Sequence, residues 1–323
     1  MFLLRFDMRA PGGGPNTIQQ LYSTAIEMAV WGEQNGCLAT IISQHHSASD
    51  NYLPSPMLLA SAIAAKTEKL AINIAALLLN MYDPIKLAED IAVLDIISNG
   101  RVSYTIGLGY RPEEYAMFGV PMKTRGKTMD EKLDALTRAL RGEKFEYQGR
   151  QVHVTPTPPS GANLSLSYGG HSNAAAKRAG RFGLSLMADG GPPELEEVYR
   201  EAALAHEQEP GTVYIPDSTL ITSLHVAKDV DEAWEKMGPY LLHDAQMYGE
   251  WMANNNTAAT SYASSVDELR GEEGPYRIVT PEDAAGMIKA GQPLAMQPLC
   301  GGMPIDLAWA SLQLVADEVM GAI

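Results

Sequence analysis

The sequence predicts an α/β chain wound as a (β/α)8 barrel. Short apolar segments alternate with helical patterns about eight times along the 323 residues. Most of these segments are apolar throughout, which marks strands of a parallel sheet covered by helices. The length suits a barrel of about 250 residues enlarged by insertions. A doubly wound open sheet is the competing fold. Against it, "GLGYRPEEY" at Gly107 lacks the G-x-G-x-x-G spacing of a dinucleotide-binding turn.

The elements follow in order. Phe2–Phe6 reads as strand one, and Ile18–Asn35 as a helix from the spacing of Ile18, Leu21, Ala25, Met28 and Ala29, stopped by Gly36. "CLATIIS" (Cys37–Ser43) is strand two. Pro56–Thr67 is a helix with proline early, where its missing N–H costs nothing. "LAINIAALLLN" from Leu70 is strand three, Pro84–Ser98 a helix, and "RVSYTIGLG" from Arg101 strand four. After the helix Arg125–Arg141, residues 143–154 ("EKFEYQGRQVHV") read as a hairpin about Gly149, outside the main pattern. "LSLSYGG", Asn173–Arg181, "LSLMA", Pro193–His206, "STLITSLHVA" and Asp231–Met252 continue the alternation. Asn254–Thr280 is polar and aperiodic, an insertion that is either a lid or a surface excursion. Pro281–Lys289, "PLAMQPL" and Asp306–Met320 close one single-domain chain, 1–323.

Bulk properties narrow the function. A net charge of −15 argues against nucleic-acid partners, which need a basic face, and against anionic membranes. The apolar start is interrupted at Arg5 and Asp7, too soon for a signal peptide or a membrane span. Cys37 and Cys300 form no C-x-x-C or zinc-type spacing, so a reducing, cytoplasmic setting is expected.

In a barrel the chemistry sits on loops that follow strands. Here those loops carry His45 and His46, then Asn80, then Gly107, Gly109, Tyr110 and Arg111, then "GGHSN" at Gly169–Asn173. Two adjacent histidines at a strand end read as an acid/base group or as structural polar residues. The remaining histidines are scattered, so no metal site is expected. Gly169 and Gly170 let backbone approach a ligand, and Ser172 and Asn173 are N-cap types heading an Ala-rich helix. Such a helix start binds anions, although an ordinary capped helix gives the same pattern. Arg125, between Lys123 and Lys127 at another helix start, offers a planar fork to the same phosphate or belongs to a solvated charged face.

Taken together, "SQHHSASDNYLPSP", "AALLLNMYDPIKLAEDIAVLDIISNGRVSYTIGLGYRPEEYAMFGVP", "KTRGKTMDEKLDAL" and "YGGHSNAAAKRAGRFG" resemble the bacterial luciferase-like family of flavin- and deazaflavin-dependent oxidoreductases. The resemblance runs over about 4–140 and 164–188, with an echo at "LCGGMPIDLAWASLQLVADEVM". It implies a TIM-type (β/α)8 barrel and a homodimer built through Pro56–Thr67 and Pro84–Ser98. It also implies a flavin-type ring at the strand ends, over a non-prolyl cis peptide that matches Ala75–Ala76, with Asn80 and Gly107 alongside. By the same carry-over, Arg125, Gly169, Gly170, Ser172 and Asn173 meet the phosphate. His45 or His46 faces the reactive edge of the ring, His45 placed first. The family often has Glu before the histidine pair. Gln44 stands here and cannot ionise, so an electrostatic role of that carboxylate is lost. No thiol lies in "IGLG" at the end of strand four, so aldehyde-dependent light emission is not implied.

The leading expectation is a monooxygenase using reduced FMN from a separate flavin reductase, with O2 and a small organic substrate. Tyr52, Tyr82 and Tyr110 would line the substrate pocket. The alternative is a dehydrogenase or reductase using the deazaflavin coenzyme F(420). Its anionic tail would need Lys123, Lys127, Lys177, Arg178 and Arg181. A non-catalytic flavin-binding protein is the third possibility.

Overall fold

The computed structural model describes residues 1–217, 219–252 and 260–322. In chain order the elements begin β1 (Phe2–Phe6), α1 (Ile18–Gln34), β2 (Cys37–Ile42), α2 (Pro56–Ala64), β3 (Ala71–Leu78) and α3 (Pro84–Ser98). Next come β4 (Val102–Gly107), α4 (Pro112–Met117), α5 (Arg125–Leu140), and the antiparallel hairpin β5 (Phe145–Tyr147) with β6 (Arg150–Val152). Then follow β7 (Leu166–Gly169), α6 (Asn173–Arg181), β8 (Ser185–Met187), α7 (Leu195–Ala205), β9 (Val213–Tyr214) and β10 (Ser223–Val226). The chain closes with α8 (Val230–Trp251), α9 (Val266–Gly271), β11 (Tyr276–Val279), α10 (Pro281–Lys289), β12 (Leu294–Met296) and α11 (Ile305–Leu314).

Among the described residues one sheet runs β11-β10-β12-β1-β2-β3-β4-β7-β8-β9, every pairing in it parallel. The run from β12 through β1 to β8 is the sequential winding of a (β/α)8 barrel, and the hairpin at 143–154 stands apart from it as expected. The sheet holds ten strands where about eight were expected. The two extra ones, β9 and β11, have two and four residues in polar stretches, too short to show a period. The insertion at 254–280 therefore contains structure: α9 packs on α8, and β11 pairs with β10. Its first part, 254–259, lies outside the described residues.

Local chemistry explains the helix starts. Thr17 opens α1 with a capping box shared with Gln20, and Asp83 accepts the Ile85 amide at the head of α3. Ser172 accepts the Ala175 amide at 3.2 Å and so caps α6.

β1 shows which face is which. Phe2 packs on Trp31 of α1, and Leu4 reaches Gly32 of the same helix, so the even positions meet the helical layer. The odd positions then face the barrel interior, and they include Arg5 and Asp7.

The long helix α8 sits against the end of β12. Gly301, in the turn after β12, has φ +60°, and a Cβ there would lie 2.2 Å from the Tyr240 carbonyl oxygen of α8. Gly301→Ala should therefore cost about 1–3 kcal/mol through backbone overlap. The check is the urea midpoint, which should fall with the slope of the transition unchanged. A wild-type midpoint would mean that α8 does not rest on this turn.

Candidate active site

Three strand ends build the site: the loop after β1 with Arg9, the loop after β2 with Gln44–His46, and the segment after β4 with Tyr110, Arg111 and, in α4, Glu114. α8 covers them. His45 is 7% exposed. Its ring lies edge-on to Tyr52 at 5.0 Å, Tyr110 at 5.5 Å and Tyr248 at 6.3 Å, and tilted to Trp251 at 4.8 Å.

Hydrogen bonds fix the ring. His45 Nδ1 lies 2.9 Å from Glu114 Oε1, and the His46 amide donates to the same oxygen at 2.9 Å. Burial by itself would raise the Glu114 carboxyl, but the hydrogen bonds from His45 and the His46 amide, with Arg111 beside them, hold it below its ordinary value. An ionised carboxylate only accepts, so Nδ1 carries the proton. Burial pushes the imidazole below its ordinary value, outweighing the pull of Glu114, while Arg111 and Arg9 push the same way as burial. A neutral ring with Nδ1–H leaves Nε2 as acceptor, and the Tyr110 hydroxyl donates to it at 3.2 Å.

His46 belongs to a different cluster. Gln44 accepts the Leu78 amide at 3.1 Å, which orients its side-chain amide. Its Nε2 then donates to His46 Nε2 at 2.7 Å and to the Tyr82 hydroxyl at 2.9 Å. On its other side His46 meets Phe118 at 4.7 Å. Gln44 thus couples the histidine pair to the end of β3. Gln44 supplies no carboxylate, as the sequence shows, but Glu114 of α4 brings one to the pair.

The peptide bond between Ala75 and Ala76 is cis, as the family resemblance implied. The β3–β4 register shifts between Ala75 and Leu77, forming a bulge. Gly107 faces it: a Cβ there would stand 2.7 Å from Ala76 Cβ, so only glycine lets β4 pass.

At the start of α5, Asn80 donates to the Tyr115 hydroxyl at 3.0 Å and to the Arg125 carbonyl at 3.1 Å. Among the described residues the Arg125 guanidinium makes one long contact, to Met122 O at 3.3 Å, and its buried Nε has no partner. Arg178, in the last turn of α6, donates to Gly126 O at the start of α5 at 3.3 Å. Gly170 has φ +133° in the turn into α6, a backbone state that favours glycine. Ser172, having accepted from Ala175, keeps its own O–H to donate, and Asn173 is the first residue of α6. Arg125 thus opens α5, while Gly169 and Gly170 end and follow β7 and Ser172 and Asn173 head α6.

Tyr52 is 3% exposed and its hydroxyl pairs with that of Tyr248 at 2.7 Å. Tyr82 and Tyr110 are half-buried at the two histidine clusters. Two open grooves of about 430 and 460 Å³ lie in the helical layer, one against α6 and α7, the other between α8 and α11, away from His45. Among the described residues no group of three or more His, Cys, Asp or Glu is arranged to hold a metal ion.

Sequence reasoning missed the charged floor of the site. Arg9, with no exposure, donates to Asp244 of α8 and to Asp50, each at 2.5 Å, and stands 3.7 Å from Asp7. Tyr276 donates to Asp244 at 2.8 Å and Gln297 to Asp7 at 2.7 Å. His243 reaches Asp50 at 3.0 Å, and Arg5 reaches Tyr248 at 3.2 Å. The Arg9 guanidinium also lies over the rings of Tyr52, Tyr248 and Trp251 at 4.7, 4.9 and 4.6 Å. The only hint in the sequence was that Arg5, Asp7 and Arg9 alternate with apolar residues at the end of strand one.

The comparisons agree with this architecture. The chain belongs to the luciferase-like monooxygenase family, whose profile matches residues 1–295. Limonene 1,2-monooxygenase of Rhodococcus erythropolis is 27% identical over 302 residues, covering 86% of this chain and 75% of that protein. The oxygenase component of the flavin-dependent trigonelline monooxygenase of Acinetobacter baylyi is 30% identical over 135 residues, 41% of this chain and 37% of that one. For several other curated relatives the matched stretch spans roughly half of their length, 43%, 61% and 53%. The oxygenating constituent of 3,6-diketocamphane monooxygenase from Pseudomonas putida, solved with FMN, has a TM-score of 0.70 at 21% identity, covering 100% of this chain and 98% of that one. An F(420)-dependent secondary alcohol dehydrogenase has a TM-score of 0.67 at 16% identity, covering 98% of each chain. Both show the same fold.

The charged floor makes stability depend on pH. Burial, with the Asp244 carboxylate nearby, pushes the Asp7 carboxyl up to about 7 against the pull of Arg9. Between its unfolded value of 3.8 and about 7 the folded chain binds the proton more tightly than the unfolded chain. Stability from this group thus falls as pH rises through that window. Asp7→Asn should flatten the decline, seen in melting temperature measured from pH 4 to 8. A variant that keeps the wild-type slope would remove Asp7 as its source.

Proposed function

We propose that this chain is the oxygenase part of a two-component monooxygenase that takes reduced FMN from a separate reductase and oxygenates a small organic substrate. The observation that carries the reading is the buried Nε of Arg125, at the start of α5, with no partner among the described residues. It suits a phosphate, which accepts several donors at once. The relatives named as monooxygenases, and the oxygenase component that implies a reductase, support it.

Arg125, Ser172, Asn173 and the backbone at Gly169 and Gly170 would hold the phosphate. Asn80, Gly107 and the Ala75–Ala76 bulge would underlie the ring. Bound reduced FMN supplies two electrons and activates O2. The chain's own part is to exclude water with Tyr52, Tyr248 and Trp251, and to move a proton at His45. His46, held by Gln44, keeps the end of β3 in register. Tyr82 and Tyr110 remain the substrate-facing tyrosines of this reading.

A homodimer through α2 and α3 goes with it. Leu58 is 74% exposed, and Val93, Ile96 and Ile97 are 44–49% exposed on these adjacent helices. Such an apolar patch marks an interface. Ile96→Glu with Leu58→Asp should halve the mass in sedimentation equilibrium while the fold is kept. An unchanged mass would reject this interface. The free thiols Cys37 and Cys300 suit a cytoplasmic location, and no helix among the described residues is long and apolar enough to cross a membrane.

The cofactor is tested by anaerobic titration with reduced FMN and with reduced F(420). Micromolar binding of FMN alone supports the oxygenase, whereas binding of the deazaflavin alone would make this a hydride-transfer enzyme. Arg125→Ala should weaken FMN binding by about 10- to 100-fold, the value of a lost charge-assisted hydrogen bond. An unaltered dissociation constant would sink the phosphate assignment.

A further inference from the structure

We propose that Glu114, His45 and Tyr110 form a proton relay in which the Tyr110 hydroxyl, rather than the imidazole, meets the substrate. The inference rests on the oxygenase reading for the identity of the reaction, but its geometry stands without it.

Both ring nitrogens of His45 are already engaged, Nδ1 by Glu114 at 2.9 Å and Nε2 by Tyr110 at 3.2 Å. The ring is walled in by Tyr52, Tyr248 and Trp251, and no edge carrying a nitrogen is left for a substrate. Tyr110 is half-buried as a residue, and its hydroxyl ends this chain of hydrogen bonds on the side opposite Glu114. A phenol that donates one hydrogen bond still has lone pairs to accept another. The Tyr110 oxygen is therefore the atom of this Glu114–His45–Tyr110 chain that can still accept a proton from a substrate.

The transfer balances without redox change. A substrate X–H proton passes to Tyr110 Oη as the tyrosine's own proton passes to His45 Nε2. The imidazolium formed is stabilised by the Glu114 carboxylate, and the reverse step returns the proton. The logic is that of a hydroxyl–imidazole–carboxylate triad with a phenol at its head. Burial, helped by Tyr248 and Glu114, raises the Tyr110 hydroxyl above its ordinary value, so the phenol keeps its proton until His45 can take it. Around His45 the opposing charges are Arg111, beside α4, and Arg9, after β1. Glu114 is the favourable one, and His46 and the hydroxyls of Tyr52 and Tyr248 complete the surroundings.

The test is 15N–1H NMR of the histidine rings in the flavin-free chain, followed by the pH profile of air oxidation of bound reduced FMN. The wild type should show His45 as the Nδ1–H tautomer at pH 7, titrating below 6.5. In Glu114→Gln the midpoint should fall further by about one unit, a tenfold loss of proton affinity. In Tyr110→Phe the Nε2 resonance should move while Nδ1–H stays. The FMN profile should carry a limb at the His45 midpoint in the wild type, absent from Tyr110→Phe. An Nε2–H tautomer, an Nε2 resonance indifferent to Tyr110→Phe, or a limb that survives in that variant would overturn the relay. Failure of FMN to bind would fell the cofactor reading instead, and the ring resonances alone would then decide the relay.

Discussion

A guanidinium with no exposure to water has to be matched where it lies, and Arg9 is matched by Asp50 and Asp244 at 2.5 Å each. Those partners come from the loop after β2 and from α8, so one cation ties three separate pieces of chain together. Removing either carboxylate would leave a buried guanidinium N–H without its acceptor, at a cost of about 1–3 kcal/mol. The position of α8 over the barrel mouth therefore follows from electrostatics as much as from apolar packing. The helix, once placed, delivers Tyr248 and Trp251 against His45. Arg9 lies over both rings and over Tyr52, so the charge that fixes the helix also organises the aromatic wall.

That wall sets the chemistry beneath it. Excluding water disfavours a charged imidazole, and His45 is accordingly pushed below its ordinary value. The same exclusion strengthens the field of Glu114, which keeps its charge because two N–H donors and Arg111 surround it. A neutral imidazole beside an ionised carboxylate is poised to take a proton when one is offered, and it returns it readily. The environment is one of preparation rather than of permanent charge.

Much of the fold was legible in the sequence because its signals are local. Apolar runs such as "LAINIAALLLN" and capped helix starts such as Ser172–Arg181 announce themselves within a dozen residues. β9 and β11 were not legible, because strands of two and four residues carry no period and exist through pairing with β8 and β10. The site divides along the same line. His45, Ala75–Ala76, Gly107 and Ser172 sit in motifs that resemble a known family. Glu114, Asp244, Tyr248 and Trp251 are meaningful only through contacts spanning 69 to 235 positions of chain. Gln44 shows the limit of reading one position at a time. Its lack of charge looked like a loss, but an amide can donate to His46 and accept from Leu78 at once, which a carboxylate cannot.

The junction of α5 and α6 bears on the choice between cofactors. A groove for a polyanionic tail was expected to use Lys123, Lys127, Lys177, Arg178 and Arg181. Arg178 and Arg181 are both bound to Asp130, at 2.5 and 2.6 Å, and Lys127 lies 3.7 Å from Glu131. Asp130 thus ties α5 to the last turn of α6 with two of the five cations. It also removes charge that a long anionic tail would use. Arg125, whose Nε is buried with no partner among the described residues, stays available to the single phosphate proposed above. With Arg178, Arg181 and Lys127 already facing carboxylates of the chain, less charge is left for an extended anionic tail, in keeping with the single phosphate of the proposed cofactor.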